Sequence, residues 1–284
     1  MLRRSLIAAV VLAAAVFTLA AAAQTQQRKA QLPNRIVSLS PALTEDLFAV
    51  GAGPQVVAVD DASDYPKRAP RTKLSGLSPN VEAIASYNPD LVVISYDSGL
   101  VASLQKLGIK TLLEPAPNNL AQAYEEIRQI GAATGHTPAA TKVVRGMEKT
   151  LTRLIRSVPK RSRHLKVFHE LSPDYYSATS ATFIGRIYKL FGFRNIADAA
   201  DSSHTGYPQL SPEYIVSANP DIVVLADSVC CGQNAATVAE RPGWQNVAAV
   251  RKHHVIAVDD SIASRWGPRV IDFARAVAQV AKRS

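Results

Sequence analysis

The sequence predicts an α/β protein of two Rossmann-like lobes, each built on a parallel sheet, joined by one long backbone helix. Three observations lead there. The chain has 284 residues, beyond the size at which one hydrophobic core keeps growing, so two cores are expected. Leu-Ser-Pro occurs at residues 39–41, 77–79, 171–173 and 210–212, and the second and fourth copies lead into the same text. Residues 82–94 read EAIASYNPDLVVI and residues 213–225 read EYIVSANPDIVVL, identical at eight of thirteen positions without a gap. A unit repeated at about one domain length marks two copies of one αβ plan. Between the copies lies the longest helical pattern in the chain, without the Gly and Ser richness of a flexible linker.

Taken in order, Arg3 and Arg4 precede an apolar or small stretch, 5–23, that closes on three alanines ahead of polar Gln24. This is the make-up of a secretory signal cleaved after Ala23, residues 1–23. The stretch also approaches the roughly 20 residues that span a bilayer, so an uncleaved anchor is the alternative. No Cys stands near the cleavage point, so no lipid anchor is expected and the product is read as exported and soluble. The first lobe covers 24–136, with strands at 36–39, 56–59, 91–94 and 111–113. The second covers 159–284, with strands at 167–168, 222–225 and 255–258. The runs at 91–94 and 222–225 are apolar throughout, as strands buried on both faces are. Each Ser-Pro suits a helix start, the Ser oxygen capping and the Pro occupying the first turn. Asn88-Pro89 and Asn219-Pro220 end the next helices, since a residue before Pro is pushed toward extended backbone. A helix at 120–134 stops at Gly135, and Thr137-Pro138 opens the linking helix, 137–158, which stops at Pro159.

Ligands of parallel α/β sheets sit beyond the carboxyl ends of the strands. Those ends carry Ser40 and Pro41, Tyr65, Tyr96, Tyr175 and Tyr176, Tyr207, and Arg265 with Trp266. Aromatics gathered in loops of both lobes favour a large, flat ligand. Cys230 and Cys231 are adjacent and are the only cysteines; a vicinal disulfide is the reading offered, with free thiols, metal binding and intermolecular pairing as the alternatives. Gly51-Ala52-Gly53 follows a helix and lacks the third Gly of a dinucleotide loop, and there is no phosphate loop, His-Glu-x-x-His or Gly-x-Ser-x-Gly. No catalytic residue, metal site or intrinsic cofactor is expected. His169-Glu170 reads as structural, and His253-His254 as an exposed turn. The basic surplus, 32 Lys and Arg against 23 Asp and Glu, contains no long basic run and does not point to nucleic acid.

The chain from about Arg35 onward resembles the periplasmic binding proteins for cobalamin and ferric siderophores. The resemblance is carried by Arg35-Ile36-Val37-Ser38-Leu39-Ser40-Pro41, Ser63-Asp64-Tyr65-Pro66, Asn88-Pro89-Asp90-Leu91-Val92-Val93, Leu107-Gly108-Ile109 and Gly267-Pro268-Arg269. It implies a non-enzymatic, monomeric receptor of an ABC importer, delivering a metal chelate to a permease and its ATPase. Glu82 and Glu213 match the two acidic residues that dock on the permease. Tyr65, Tyr96, Tyr176, Tyr207 and Arg265 match pocket positions of the cobalamin branch, so a corrinoid is the implied ligand, with a ferric siderophore or haem as the alternative. Where those proteins often carry Trp, this chain has Gly76, Tyr96, Tyr207 and Ile262, with Trp266 displaced along its loop. Arg265 would meet a ligand carboxylate, phosphate or anionic chelate, or else Asp259 or Asp260.

Overall fold

A computed structural model describes residues 32–284; the signal at 1–23 lies outside the described residues. Two four-stranded parallel sheets form. The first is β1 (Ile36–Ser38), β2 (Val56–Val59), β3 (Leu91–Ile94) and β4 (Lys110–Leu113), in the order β2-β1-β3-β4. The second is β5 (Lys166–Glu170), β6 (Arg194–Asn195), β7 (Ile222–Leu225) and β8 (Val255–Ala257), in the order β6-β5-β7-β8. The two orders are the same plan, and the repeated segments supply the third strand of each. β3 and β7 are buried at all four positions, which their unbroken apolar runs require.

The helices in the first lobe are α1 (Pro41–Ala49), α2 (Val81–Ala85), α3 (Leu100–Lys106) and α4 (Leu120–Thr134), followed by the linking helix α5 (Thr137–Ser157). The second lobe carries α6 (Phe183–Leu190), α7 (Pro212–Ala218), α8 (Ser228–Cys231), α9 (Ala235–Ala239), α10 (Ala248–Arg251), α11 (Asp260–Ser264) and α12 (Val270–Arg283). Only two of the four Ser-Pro pairs start a helix. Ser211 caps α7, accepting from the Tyr214 amide, and Pro41 opens α1 behind Ser40, whose side chain makes no cap bond. At the second copy Asn80 takes the capping role, accepting from the Ala83 amide at 2.7 Å. At the third, Ser172-Pro173 makes a turn that Tyr175 closes with φ 65°. Asn88 and Asn219 end their helices in left-handed backbone, φ 48° and 49°, not the extended backbone expected before Pro, because Asn tolerates that region. β6 is only two residues long and polar, which leaves no periodicity to read.

α5 lies against α4 of the first lobe and α12 of the second. Its buried residues, Ala140, Val144, Met147 and Leu151, recur at three- and four-residue steps and form one apolar stripe. They belong to a single core cluster that runs from Ile36 and Val93 in the first sheet to Val167, Ile222 and the α12 residues Phe273 and Val277. The two sheets are thus joined by continuous packing as well as by the chain. Among the described residues, no helix is long and apolar enough to cross a membrane.

Candidate ligand cleft between the lobes

Because all strands are parallel, their carboxyl ends deliver one set of loops from each lobe to a common region. A cavity of about 300 Å³ there takes Asn118 from the loop after β4 and Phe183, His204, Tyr207, Ser264 and Trp266 from the second lobe. Trp266 is fixed in its wall, its indole Nε1 donating to Glu126 Oε1 of α4 at 2.8 Å. Tyr207 is half exposed.

The loop that carries Trp266 is tied to the first lobe on both sides. Arg265 donates to Asp64 Oδ1 at 2.7 Å, Glu45 Oε1 at 3.2 Å and the Ala62 carbonyl at 3.1 Å. Arg269 donates through Nε to Glu45 Oε2 at 2.9 Å, and its guanidinium lies 4.0 Å from the centroid of the Tyr65 ring. Gly267 brings the loop onto α1: a Cβ there would stand 3.3 Å from Glu45 Cβ and 3.4 Å from the Ala42 carbonyl. Arg265 is therefore occupied by the protein itself, and by Asp64 and Glu45 in place of the neighbouring Asp259 or Asp260. Asp259 instead caps α11, accepting from the Ser261 amide at 2.8 Å.

The other candidate residues divide. Tyr65 lines a second, smaller cavity of about 210 Å³ with Glu45, Phe48, Arg68 and Arg269. Tyr96 is exposed on the loop after β3, and Tyr176 is half exposed where its segment bridges Gln209; neither lines these two cavities. Ser40 is buried at the head of α1, which makes it scaffold. Tyr175, grouped with the cleft aromatics in the sequence, packs inward, stacked on Trp244 with centroids 6.1 Å apart and under the Arg241 guanidinium. Gly76 leaves no room for the Trp often found there, since a Cβ would lie 2.6 Å from the Leu39 carbonyl.

Glu82 and Glu213 occupy the first turns of α2 and α7, exposed, with no ion pair among the described residues. The sulfurs of Cys230 and Cys231 are bonded to each other. Their exposed turn is pinned by Asp260, whose carboxylate accepts from the Val229 and Cys230 amides at 3.0 and 2.8 Å.

Sequence patterns missed the carboxyl groups beneath the cleft wall. Asp46 follows Glu45 on α1 and is fully buried; burial and then the facing Glu126 carboxyl hold its pKa well above the usual range. Burial likewise pushes Glu126 up to about 7. Both Asp46 oxygens and Glu126 Oε2 have no hydrogen-bond partner, and the raised pKa values favour protonated carboxyls here, which lets one donate to the other. Two adjacent acids inside the mostly apolar run Pro41–Ala49 were the available signal. A parallel arrangement lies in the second lobe, where Glu170 binds Arg241 through two bonds of 2.6 Å and burial, with Glu170 beside it, raises Asp227 to about 7. His169 is buried with its Nδ1 2.6 Å from the Tyr188 hydroxyl, and burial lowers its pKa to about 3, consistent with a structural residue. His254, expected to be exposed, is buried. Among the described residues, no cluster of three metal-ligating side chains occurs.

A family model described as periplasmic binding protein matches residues 36–262. The chain belongs to the periplasmic binding protein family. It is similar to the uncharacterized ABC transporter substrate-binding lipoprotein YvrC of Bacillus subtilis, 33% identical over 258 residues that cover 87% of this chain and 79% of that one. The cobalamin-binding protein of Halobacterium salinarum is 31% identical over 249 residues, 84% of this chain and 67% of its own. A solved structure described as a possible iron-binding, periplasmic solute-binding protein from Staphylococcus epidermidis superposes with a TM-score of 0.73 at 26% identity, covering 88% of this chain and 99% of that one. Members of the family are extracytoplasmic binding proteins rather than enzymes.

Proposed function

We propose that this periplasmic binding protein is the receptor of an ABC importer and binds a corrinoid in the cleft between its lobes. The observation that carries the reading is the cavity in which Tyr207 and Trp266 of the second lobe face the loop after β4 of the first. Broad aromatic faces suit a rigid conjugated ring, and about 300 Å³ is at the small end of ligand pockets, enough to grip the edge of a macrocycle. The cobalamin-binding relative points the same way. The disulfide-bonded turn at Cys230 and Cys231 adds a stiff apolar step at the end of β7. A second reading, ferric haem, is favoured by His204 sharing the cavity with Tyr207, since His and Tyr both serve as axial ligands of haem iron.

Gel filtration of the purified chain after mixing with cyanocobalamin, haemin or a ferric siderophore separates these readings. Corrin absorption should co-elute with the protein at one equivalent and be recovered unchanged. Tyr207→Ala should weaken binding about tenfold. Haem bands in place of corrin bands would move the assignment to haem, and a chemically altered ligand would make the protein an enzyme.

Glu82 and Glu213 stand at matching places in the repeat, one on each lobe, as a bivalent contact requires. They are proposed to dock on arginines of the permease. In cells carrying the cognate transporter, Glu82→Arg with Glu213→Arg should abolish uptake and leave ligand affinity within about twofold, because exposed charges away from a pocket contribute little to it. A matching loss of affinity would instead place both residues in the pocket.

A further inference from the structure

The linking helix has a second face that ligand binding does not use. Lys142, Arg145, Lys149, Arg153 and Arg156 are all exposed on α5. At 100° per residue they fall within an arc of about 80°, along roughly 21 Å of helix. None of the five forms an ion pair among the described residues. The nearby acid, Glu148, lies to one side of the arc, shares a groove with Arg145, Lys149, Arg153 and Arg156 and stands 3.9 Å from Arg128 of α4; one acid offsets only one of the five charges, so the face stays strongly positive. Lys160 and Arg161, exposed in the turn after α5, extend the positive surface toward β5.

A narrow, straight row of cations brings all five charges to one plane at once. That shape suits a flat anionic surface better than a folded protein, whose interface would need an apolar centre. None of the large apolar side chains exposed in the described structure lies on α5. The apolar stripe of α5 is already used against α4 and α12, so the helix has nothing to insert between acyl chains, and attachment would be electrostatic only. The chain also belongs to an extracytoplasmic family, which removes nucleic acid as the usual partner.

We propose that this face of α5 docks peripherally on a bilayer surface rich in anionic phospholipid. Chain direction fixes the orientation on that surface. α4 returns from the carboxyl end of β4, and α5 leads through a short turn into the start of β5. α5 therefore runs along the edges where the strands begin, opposite the cleft. A molecule held by α5 presents its cleft, with Glu82 and Glu213, away from that bilayer, so lipid attachment and docking through the two glutamates on the same membrane exclude each other.

Co-sedimentation of the purified chain with vesicles tests this. Vesicles of phosphatidylcholine with about 30% phosphatidylglycerol should retain the protein at about 50 mM salt and release it as salt screens the charges, while pure phosphatidylcholine should not retain it. Combining Lys142→Gln, Arg145→Gln, Lys149→Gln, Arg153→Gln and Arg156→Gln should lower retention about tenfold or more. A control with the same loss of charge elsewhere, Lys73, Lys106, Lys110, Lys189 and Lys252 each replaced by Gln, should stay within about twofold of the parent. Circular dichroism establishes that both variants are folded. Equal losses in the two variants would reduce the effect to net charge and overturn the proposal. So would failure of the parent to bind phosphatidylglycerol vesicles, or binding through the row to polyglutamate but not to vesicles.

Discussion

Replacing Glu45 with Ala is expected to destabilise the protein by roughly 3–5 kcal/mol, the range seen when one partner of a buried ion pair is removed. Glu45 is 2% exposed and accepts from two arginines that arrive from more than two hundred residues away. The side chains of Arg265 and Arg269 keep only 14% and 16% of their exposure. Without Glu45, Arg265 retains Asp64, but Arg269 is left against the Tyr65 ring with no carboxylate. The cost is that of stranded charge, so Glu45→Gln, which keeps the volume and an acceptor oxygen, should cost less, roughly 2 kcal/mol. Urea titration at neutral pH measures both, and the Ala variant should melt on the order of 10 °C lower. Asp272→Ala supplies the contrast: it removes an exposed pair with Arg275 and should change stability by less than about 0.5 kcal/mol. A loss below about 1 kcal/mol for Glu45→Ala would mean that water reaches both guanidiniums once Glu45 is gone, so that no charge is left stranded. The same contacts hold the loop bearing Trp266 against the first lobe, so ligand affinity should fall with stability.

This latch also shows where the sequence stops being legible. β3 and β7 were readable to the residue because their apolar runs need no partner to be recognised, and Gly135 marked the end of α4 by its own left-handed backbone, φ 82°. The repeat exposed the common αβ plan of the lobes. Each of these signals is local, or is a comparison of two local texts. Ser78 and Ser172 misled because residues just downstream outcompete the Ser-Pro signal: Asn80 offers a better cap, and Tyr175 turns the chain. For Arg265 the sequence offers a ligand anion or neighbours six and five residues away, whereas its carboxylates lie 201 and 220 positions distant. No periodicity encodes a pairing of that kind. The cleft aromatics were legible only as a set of loop residues; which of them share a cavity depends on how the loop before α12 crosses to α1.

Between pH 5 and pH 8 the wild-type chain should lose roughly 3 kcal/mol of stability relative to Glu126→Gln. The sign is set by the direction of the shift. Glu126 ionises near 4.5 when exposed and is held up to about 7 in the fold, so across that interval the native state binds a proton that the unfolded state has released. Stability from this group is complete below about 4.5 and declines until about 7, by about 1.4 kcal/mol per unit. Asp46, raised in the same direction, steepens the decline, and Asp227, raised to about 7, adds its own. His169 opposes them: its pKa falls from 6.5 to about 3, so it favours the native state increasingly as pH rises through that range. The total curve mixes these groups, which is why the difference from Glu126→Gln is the informative quantity. Gln keeps an oxygen for the Trp266 indole and never ionises. Urea titrations at pH 5.0, 6.5 and 8.0 should show the two proteins diverging, with the variant the more stable at the highest pH. Parallel curves would mean that Glu126 keeps one charge state throughout, and divergence in the opposite sense would mean that the fold holds its pKa below the exposed value. Because Trp266 hangs on this carboxyl from the cleft side, the proton that steadies the fold also steadies the wall against which the ligand is proposed to rest.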